Sequence, residues 1–294
     1  MINKIEFNEF IKNCNITIPE KNKFQNLGKK LGLHTRDNDI IELNFNRSPL
    51  LYTIISKYRP KNILEFGTGG GFGTMSMAWA MTENKIDGTI FTVDLLDNND
   101  SWSRAIDWND GKGPKIEEIS NNDLWTKLIP LDWREKVKTV SGYSGQVMTK
   151  NKFPMIDFAY IDGAHFYAGV KHDFFAFLKN SNETFAVLFD DYIDIPAYGV
   201  KDFIDKEVSK WFDVELIFTD PEKHLFNKGI TKNKEYGMCW IHSNTMKIPK
   251  EEIINSMKSE VKKYISFEKR MILRNKINKK IPFLKNHRLS WWKN

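Results

Sequence analysis

Short apolar runs recur through the middle of the chain, each closed by glycine, an acid or a turn and followed by a longer segment of helical composition. Asn62–Phe66 runs into a cluster of glycines, Thr74–Met81 has helix-compatible composition, and Thr89–Val93 again reads as a strand that ends in Asp94. Together these predict a βαβ unit. Further strands are predicted at Lys138–Val140, Ile156–Ile161, Phe185–Phe189, Val214–Phe218 and Met238–His242, with helices at Tyr167–Leu178 and Val200–Trp211. Strands that alternate with helices predict an α/β, doubly wound, mainly parallel sheet with an antiparallel last strand. Ligands of such a sheet bind beyond the carboxyl ends of its strands, so candidate sites lie just after each apolar run.

With 41% hydrophobic residues in 294, the chain can bury an ordinary core. No window approaches 18 uncharged apolar residues, and the start MINKIEFNEFIKN carries acids and amides where a signal peptide needs a continuous apolar segment. Cys14 and Cys239 match no metal or redox spacing, so a reducing cytoplasm and no disulfide are expected. The formal charge of +6 is uneven: residues 247–294 hold 14 Lys+Arg against 4 Asp+Glu, leaving 30 against 34 elsewhere. A basic tail therefore follows a mildly acidic body.

The stretch ILEFGTGGGFG, residues 63–73, places an acid, Glu65, two residues before the first of five glycines. Glycines after a first strand allow positive φ and close backbone approach to a ligand, and they serve dinucleotide and methyl-donor sites alike. A pyrophosphate at this loop would be opposed by a carboxylate at the strand end. Glu65 suits a cation better. S-adenosylmethionine (SAM), with an ammonium, a sulfonium and no phosphate, gives that acid a Coulombic reason to be there. The alternative is that Glu65 caps a turn or meets a surface lysine.

This stretch, followed by TIFTVDLLD, FAYIDGAHFYAGVKHD and VLFDDY, resembles a class I SAM-dependent methyltransferase. The resemblance is to the metal-dependent branch of macrolide-sugar O-methyltransferases and, more distantly, to catechol O-methyltransferase; it covers about Arg47 to His242. It implies a Rossmann-like methyltransferase sheet in which Glu65, Gly67, Gly69 and Gly71 line the methionine end of SAM and Asp94 accepts hydrogen bonds from the ribose diol. Gly142, Tyr143 and Ser144 follow the third strand, where the family contacts adenine; an ordinary turn is the alternative there.

Asp162 ends one predicted strand and Asp190–Asp191 the next, so adjacent parallel strands bring three carboxylates to one rim. Such a set repels itself unless protonated or bound to a cation, and all-oxygen ligands suit a hard ion, Mg²⁺ or alternatively Mn²⁺ or Ca²⁺. The alternative is helix capping by Asp190–Asp191 and substrate or cofactor binding by Asp162. His165, three residues past Asp162, is placed to take a proton from a substrate hydroxyl, and the resemblance implies the same role of general base.

The expected activity is Mg-assisted O-methylation of a sugar or glycoconjugate hydroxyl. A catechol or small-metabolite acceptor, a related metal-dependent hydroxylase and a noncatalytic SAM-fold binding protein remain alternatives. The expected organisation is an amino-terminal helical cap (1–46), a methyltransferase domain (47–246) with an insertion near 97–136, and a basic helical extension (247–294). The insertion, rich in tryptophan, is either a lid or a packed insert. The extension ends LSWWKN and carries an imperfect amphipathic pattern of Ile254, Met257, Val261, Tyr264, Ile265, Phe267 and Ile272. It suits either packing on the body or a second subunit, or peripheral contact with an anionic membrane. Its basic residues accompany no nucleic-acid motif, which disfavours that partner.

Overall fold

The structure, a computed structural model, describes residues 2–36, 39–42, 44–196, 198–220 and 235–280. Among them the strands are β1 (Ile2–Glu6), β2 (Leu33–Arg36), β3 (Asp39–Glu42), β4 (Asn62–Phe66), β5 (Thr89–Asp94), β6 (Trp102–Ile106), β7 (Lys115–Ile119), β8 (Val137–Ser141), β9 (Ile156–Ile161), β10 (Ser181–Ile193), β11 (Val214–Phe218) and β12 (Tyr236–His242). The helices that frame them are α1 (Phe7–Cys14), α2 (Lys21–Leu31), α3 (Arg47–Tyr58), α4 (Phe72–Glu83), α5 (Asn121–Leu128), α6 (Leu131–Arg134), α7 (Ser144–Lys150) and α8 (Tyr167–Leu178). A broken helical run follows at Val200–Phe203, Ile204–Val208 and Ser209–Trp211, and a long helix spans Lys250–Lys280.

Eight strands form one sheet in the order β1-β11-β12-β10-β9-β4-β5-β8. All neighbours run parallel except β12, which is antiparallel to both β10 and β11, as the sequence pattern predicts. The chain moves outward from β4 to β5 and β8, then returns to add β9 and β10 on the other side. That reversal leaves a crevice above the end of β4, where open α/β sheets bind ligands.

Strand periodicity divides the sheet between two cores. Ile63, Ile90, Phe158, Leu188, Ile217 and Met238 face one side, packing with α2, α3 and α4. Their neighbours Leu64, Ala159, Val187, Leu216 and Cys239 face the other, packing with α8 and the long helix. Both faces are thus covered, which explains why the central strands read as mainly apolar runs.

Residues 1–46, expected as a helical cap, differ from that expectation. Besides α1 and α2 they supply β1, which pairs in parallel with β11 from Ile2↔Val214 to Glu6↔Phe218, and the β2–β3 hairpin. INKIE is too short and too polar to announce a strand; as an edge strand it needs to bury only part of one face. The 97–136 insertion packs on the body rather than standing off it. Trp133 stacks on Trp79 with ring centroids 5.2 Å apart, and Trp125 is buried with its Nε1 donating to the Gly70 carbonyl at 3.0 Å.

The described part of the basic tail forms the long helix. Ile253, Ile254, Met257 and Val261 are buried in the core shared with α8, while Lys258, Lys262, Lys263 and Lys269 lie on the exposed face. The first part of the apolar stripe is thereby occupied by the protein itself, whereas Phe267 further along is 46% exposed. The terminal LSWWKN lies outside the described residues. No helix among the described residues is long and apolar enough to cross a membrane. Replacing Met257, which is fully buried, with Ala is expected to cost about 2–5 kcal/mol of stability. Denaturant unfolding should show a lower midpoint at unchanged slope; an unchanged midpoint would mean the helix is not docked in solution.

Candidate active site

At the end of β4 the backbone of Asp162 crosses directly over the first loop glycine. A Cβ at Gly67 would lie 2.1 Å from the Asp162 carbonyl oxygen, and φ there is +93°, so only glycine fits. The crossing is fixed by backbone hydrogen bonds of 2.9 Å from Gly67 N to Val93 O and from Asp162 N to Phe66 O. It aligns the ends of β4, β5 and β9. Above them lies a cavity of about 660 Å³ lined by the glycine loop, by residues after β5, β8, β9 and β10, and by part of the long helix.

Glu65, Gly67 and Gly69 line this cavity, as do Asp94, Gly142, Tyr143 and Ser144. Gly71 does not. It sits under Trp125, where a Cβ would come within 2.4 Å of the indole ring, and its role is to let the insertion pack. Asp94 ties down the loop it faces, accepting from the amides of Gly69 (2.9 Å) and Leu96 (3.1 Å).

Glu65 is wholly buried. Thr74 donates to its Oε2, but Oε1 has no hydrogen-bond partner among the described residues. Burial pushes its carboxyl up to about 8, against the hydrogen bonds of Thr74 and Thr92 and with the added repulsion of Asp162 and Asp94. A buried acid with one unsatisfied oxygen on a ligand cavity is costly in isolation. A cationic ligand removes that cost.

The acid rim is organised around a residue that the sequence pattern does not reveal. Arg47 opens α3, is itself buried, and sends its guanidinium among the three carboxylates: Nε lies 2.5 Å from Asp190, Nη2 3.7 Å from Asp191 and Nη1 3.8 Å from Asp162. Asp190 is turned inward. Its Oδ1 accepts from the Asp191 amide at 2.8 Å, and its Oδ2 accepts from the Tyr160 hydroxyl at 2.6 Å. Burial and the Asp191 charge push its carboxyl up, while Arg47 pulls the other way.

Asp191 reaches the cavity because β10 is irregular between Phe189 and Tyr192, where Asp191 adopts φ +55°. Regular alternation would send Asp190 and Asp191 to opposite faces; the bulge lets both serve the rim. His165 then completes the set, with Nε2 3.4 Å from Asp191 Oδ2 and 3.6 Å from Asp162 Oδ1 and its ring 5.0 Å from that of Tyr198. The ligand atoms that converge within 4.8 Å are those of Asp162, His165 and Asp191. The set differs from the expected Asp162, Asp190 and Asp191, because Asp190 is already engaged by Arg47 and Tyr160.

Residues 64–192 match the family described as a methyltransferase domain. Over that stretch the sequence is similar to a methyltransferase domain. No curated protein matches the sequence. Among solved structures, the O-methyltransferase TomG of Streptomyces achromogenes, involved in tomaymycin synthesis and solved with SAM, is 14% identical, with 79% of this chain and 93% of that one covered and a TM-score of 0.49. The O-methyltransferase of Bacillus cereus, solved with SAH, is also 14% identical, at 78% and 94% coverage and a TM-score of 0.49. The matched stretch holds Glu65, Asp94, Asp162, His165, Asp190 and Asp191, whereas Arg47 precedes it.

The acid rim makes a pH-dependent contribution to stability. Burial alone would lower the pKa of His165, but the hydrogen bond to Asp162 and the charges of Asp191, Asp162 and Asp190 prevail and raise it to about 9. A raised folded-state pKa stabilises fully below the unfolded value of about 6.5 and loses that contribution as pH rises through about 9. The stability difference between the metal-free protein and His165→Asn should therefore shrink between those limits. NMR titration of the imidazole should show a midpoint near 9 that falls in Asp191→Asn; a midpoint near 6.5 in the parent would reject the geometry.

Proposed function

We propose that the protein is a SAM-dependent O-methyltransferase acting on a hydroxyl of a sugar or glycoconjugate. The observation that carries the cofactor assignment is the unpartnered, buried Oε1 of Glu65 on the cavity beside a glycine loop. A ligand ammonium would supply its missing partner and stabilise its ionised form, whereas a pyrophosphate would repel it. When bound, SAM supplies an electrophilic methyl group on a sulfonium.

His165 sits at the rim with Nε2 toward the carboxylates and, in its neutral form, takes the acceptor hydroxyl proton as the methyl–oxygen bond forms; its raised pKa makes that form the minor one near neutral pH, so turnover should rise towards pH 9. Asp162 and Asp191 hold the imidazole and stabilise its protonated form. Tyr198, tilted beside His165 and lining the cavity, offers the flat face that a sugar ring packs against. The DGAH segment, 162–165, supports the sugar acceptor through its resemblance to the macrolide-sugar enzymes.

A hard divalent cation such as Mg²⁺ fits the donor set of Asp162, Asp191 and His165, and would supply Lewis acidity toward an acceptor oxygen. A second, metal-independent reading is favoured by Arg47, which already places a permanent positive charge within 4 Å of all three carboxylates. The two are chemically distinct, because one His165 nitrogen cannot both hold an ion and accept a proton.

Calorimetric titration tests the cofactor assignment. SAM should bind with release of a proton at pH 7, as Glu65 ionises against the ligand ammonium, so the heat should vary with the ionisation enthalpy of the buffer. Glu65→Gln should keep the fold and weaken SAM binding about 10–100-fold; equal affinity would exclude the contact. Assays of vicinal sugar hydroxyls and catechols, each with Mg²⁺ and with a chelator, separate the acceptor classes and the two readings of the rim. Chelator-resistant turnover that drops by roughly 10²–10⁴-fold in His165→Ala identifies the histidine as the base; chelator-sensitive turnover assigns it to the ion.

A further inference from the structure

The long helix changes character along its length. Its first turns mix charges, with Glu251, Glu252 and Glu260 among the lysines, and Glu260 pairs with buried Lys171 at 2.6 Å. Beyond Glu260 the balance is one-sided: from Val261 to Asn294 eleven Lys+Arg stand against one acid, Glu268. That acid is 3% exposed and lines the cavity with Tyr264 and Met271. Among the described side chains, the outer face from Val261 to Arg274 therefore presents no acid to solvent.

Helical spacing groups the exposed cations with an apolar side chain. Lys263, Phe267, Arg270 and Arg274 follow one another at intervals of four, three and four, which sets them along one face, and all four are exposed. Leu273, on the solvent flank of this face, is 55% exposed. The apolar exposure is also continuous with the cavity mouth. Phe267 lies 6.1 Å from Tyr264 between ring centroids, Tyr264 lies 5.8 Å from Phe166, and Phe166 is 45% exposed. Contiguous apolar exposure of this kind marks an interaction surface, whereas isolated exposed side chains do not.

Cations interleaved with exposed apolar side chains suit an anionic bilayer: the charges meet the headgroups, and the apolar tips enter the boundary with the acyl chains. Docking asks for no rearrangement of the helix, because Ile253, Met257 and Val261 stay in the core while the opposite side meets lipid. Nucleic acid would use the same charges, but its phosphates give aliphatic Leu273 nothing to pack against. A second copy related by a two-fold axis would set this basic face against itself.

We propose that the outer face of the long helix, with Phe267 and Leu273 among Lys263, Arg270 and Arg274, docks the protein on an anionic membrane surface. The cavity mouth, which Phe267 and Met271 line, then opens beside the lipid headgroups. This surface goes beyond the assignment of the cavity and requires neither SAM nor a metal.

The test is co-sedimentation of the full-length protein with vesicles of phosphatidylcholine alone and of phosphatidylcholine containing about one third phosphatidylglycerol, at physiological and at high salt. The anionic vesicles should bind it on the order of 10²-fold more tightly, with the difference lost at high salt, since each docked cation contributes about 5-fold. Lys263→Glu, Arg270→Glu and Arg274→Glu combined should weaken that binding on the order of 10²-fold, and Phe267→Ser alone about 10-fold. Thermal unfolding checks that each variant keeps its fold. Should the charge reversal unfold the helix, Arg270→Gln with Arg274→Gln removes two charges and should still weaken binding on the order of 10-fold. Equal binding to both kinds of vesicle overturns the proposal. So does anionic-vesicle binding that is unchanged in the folded variants, which places attachment elsewhere in the chain. Variants that abolish self-association of the parent, or its retention of DNA, while vesicle binding persists overturn it in favour of a second copy or of nucleic acid.

Discussion

Three carboxylates converge on one buried rim, and a single guanidinium makes that arrangement tenable. Like charges held close together in a weakly screened interior repel one another and disfavour the ionised forms. Arg47 lies within reach of all three, and Tyr160 adds a neutral donor to the most deeply buried of them. Protonated His165 brings a second positive charge from the solvent side. The rim can therefore persist without ligand as a compensated cluster, with its remaining imbalance directed at the cavity.

The rest of the sheet serves to bring these groups together. Period-two alternation sends adjacent residues of β4, β9 and β10 into two separate cores, so the register of the strands is pinned from both faces. Phe66, Ile161 and Phe189 consequently lie side by side, and the residues that follow each of them emerge at one edge. The only departure from regular pairing near this edge is at Asp191. An L-residue with φ +55° is an uncommon conformation, and it sits where it turns a second carboxylate toward the cavity.

Much of this was legible in the chain. The limits of β4 and β9 follow from Asn62–Phe66 and Ile156–Ile161, because strands buried on both faces are mainly apolar, here with Glu65 and Asp157 as the acidic exceptions. Glu65, Asp94, Asp162 and His165 stand directly after such runs, where topology assigns them to one edge. What escaped notice depended on long-range packing. Arg47 opens an apolar helix and reads as an ordinary surface residue until it meets acids more than 100 positions away. The shift of the converging set from Asp190 to His165 hinges on a bulge of one residue, and the edge strand β1 on the presence of β11. Gly71 illustrates the converse: its place in the motif suggested a ligand, and its actual neighbour is Trp125.

The two ends of the described chain are joined to its centre by different means. β1 is held by β11 across more than 200 residues, and the long helix lies against α8 across roughly 80. Such pairings close late, since the entropy of bringing distant segments together is met only after the intervening chain is in place. On a ribosome, the glycine loop and the acid rim would emerge and fold with the cavity still open on one side, and the wall that contains Glu268 would be added last. A cavity of this design keeps one side open until the long helix has been made, which separates the folding of the rim from the closing of its wall.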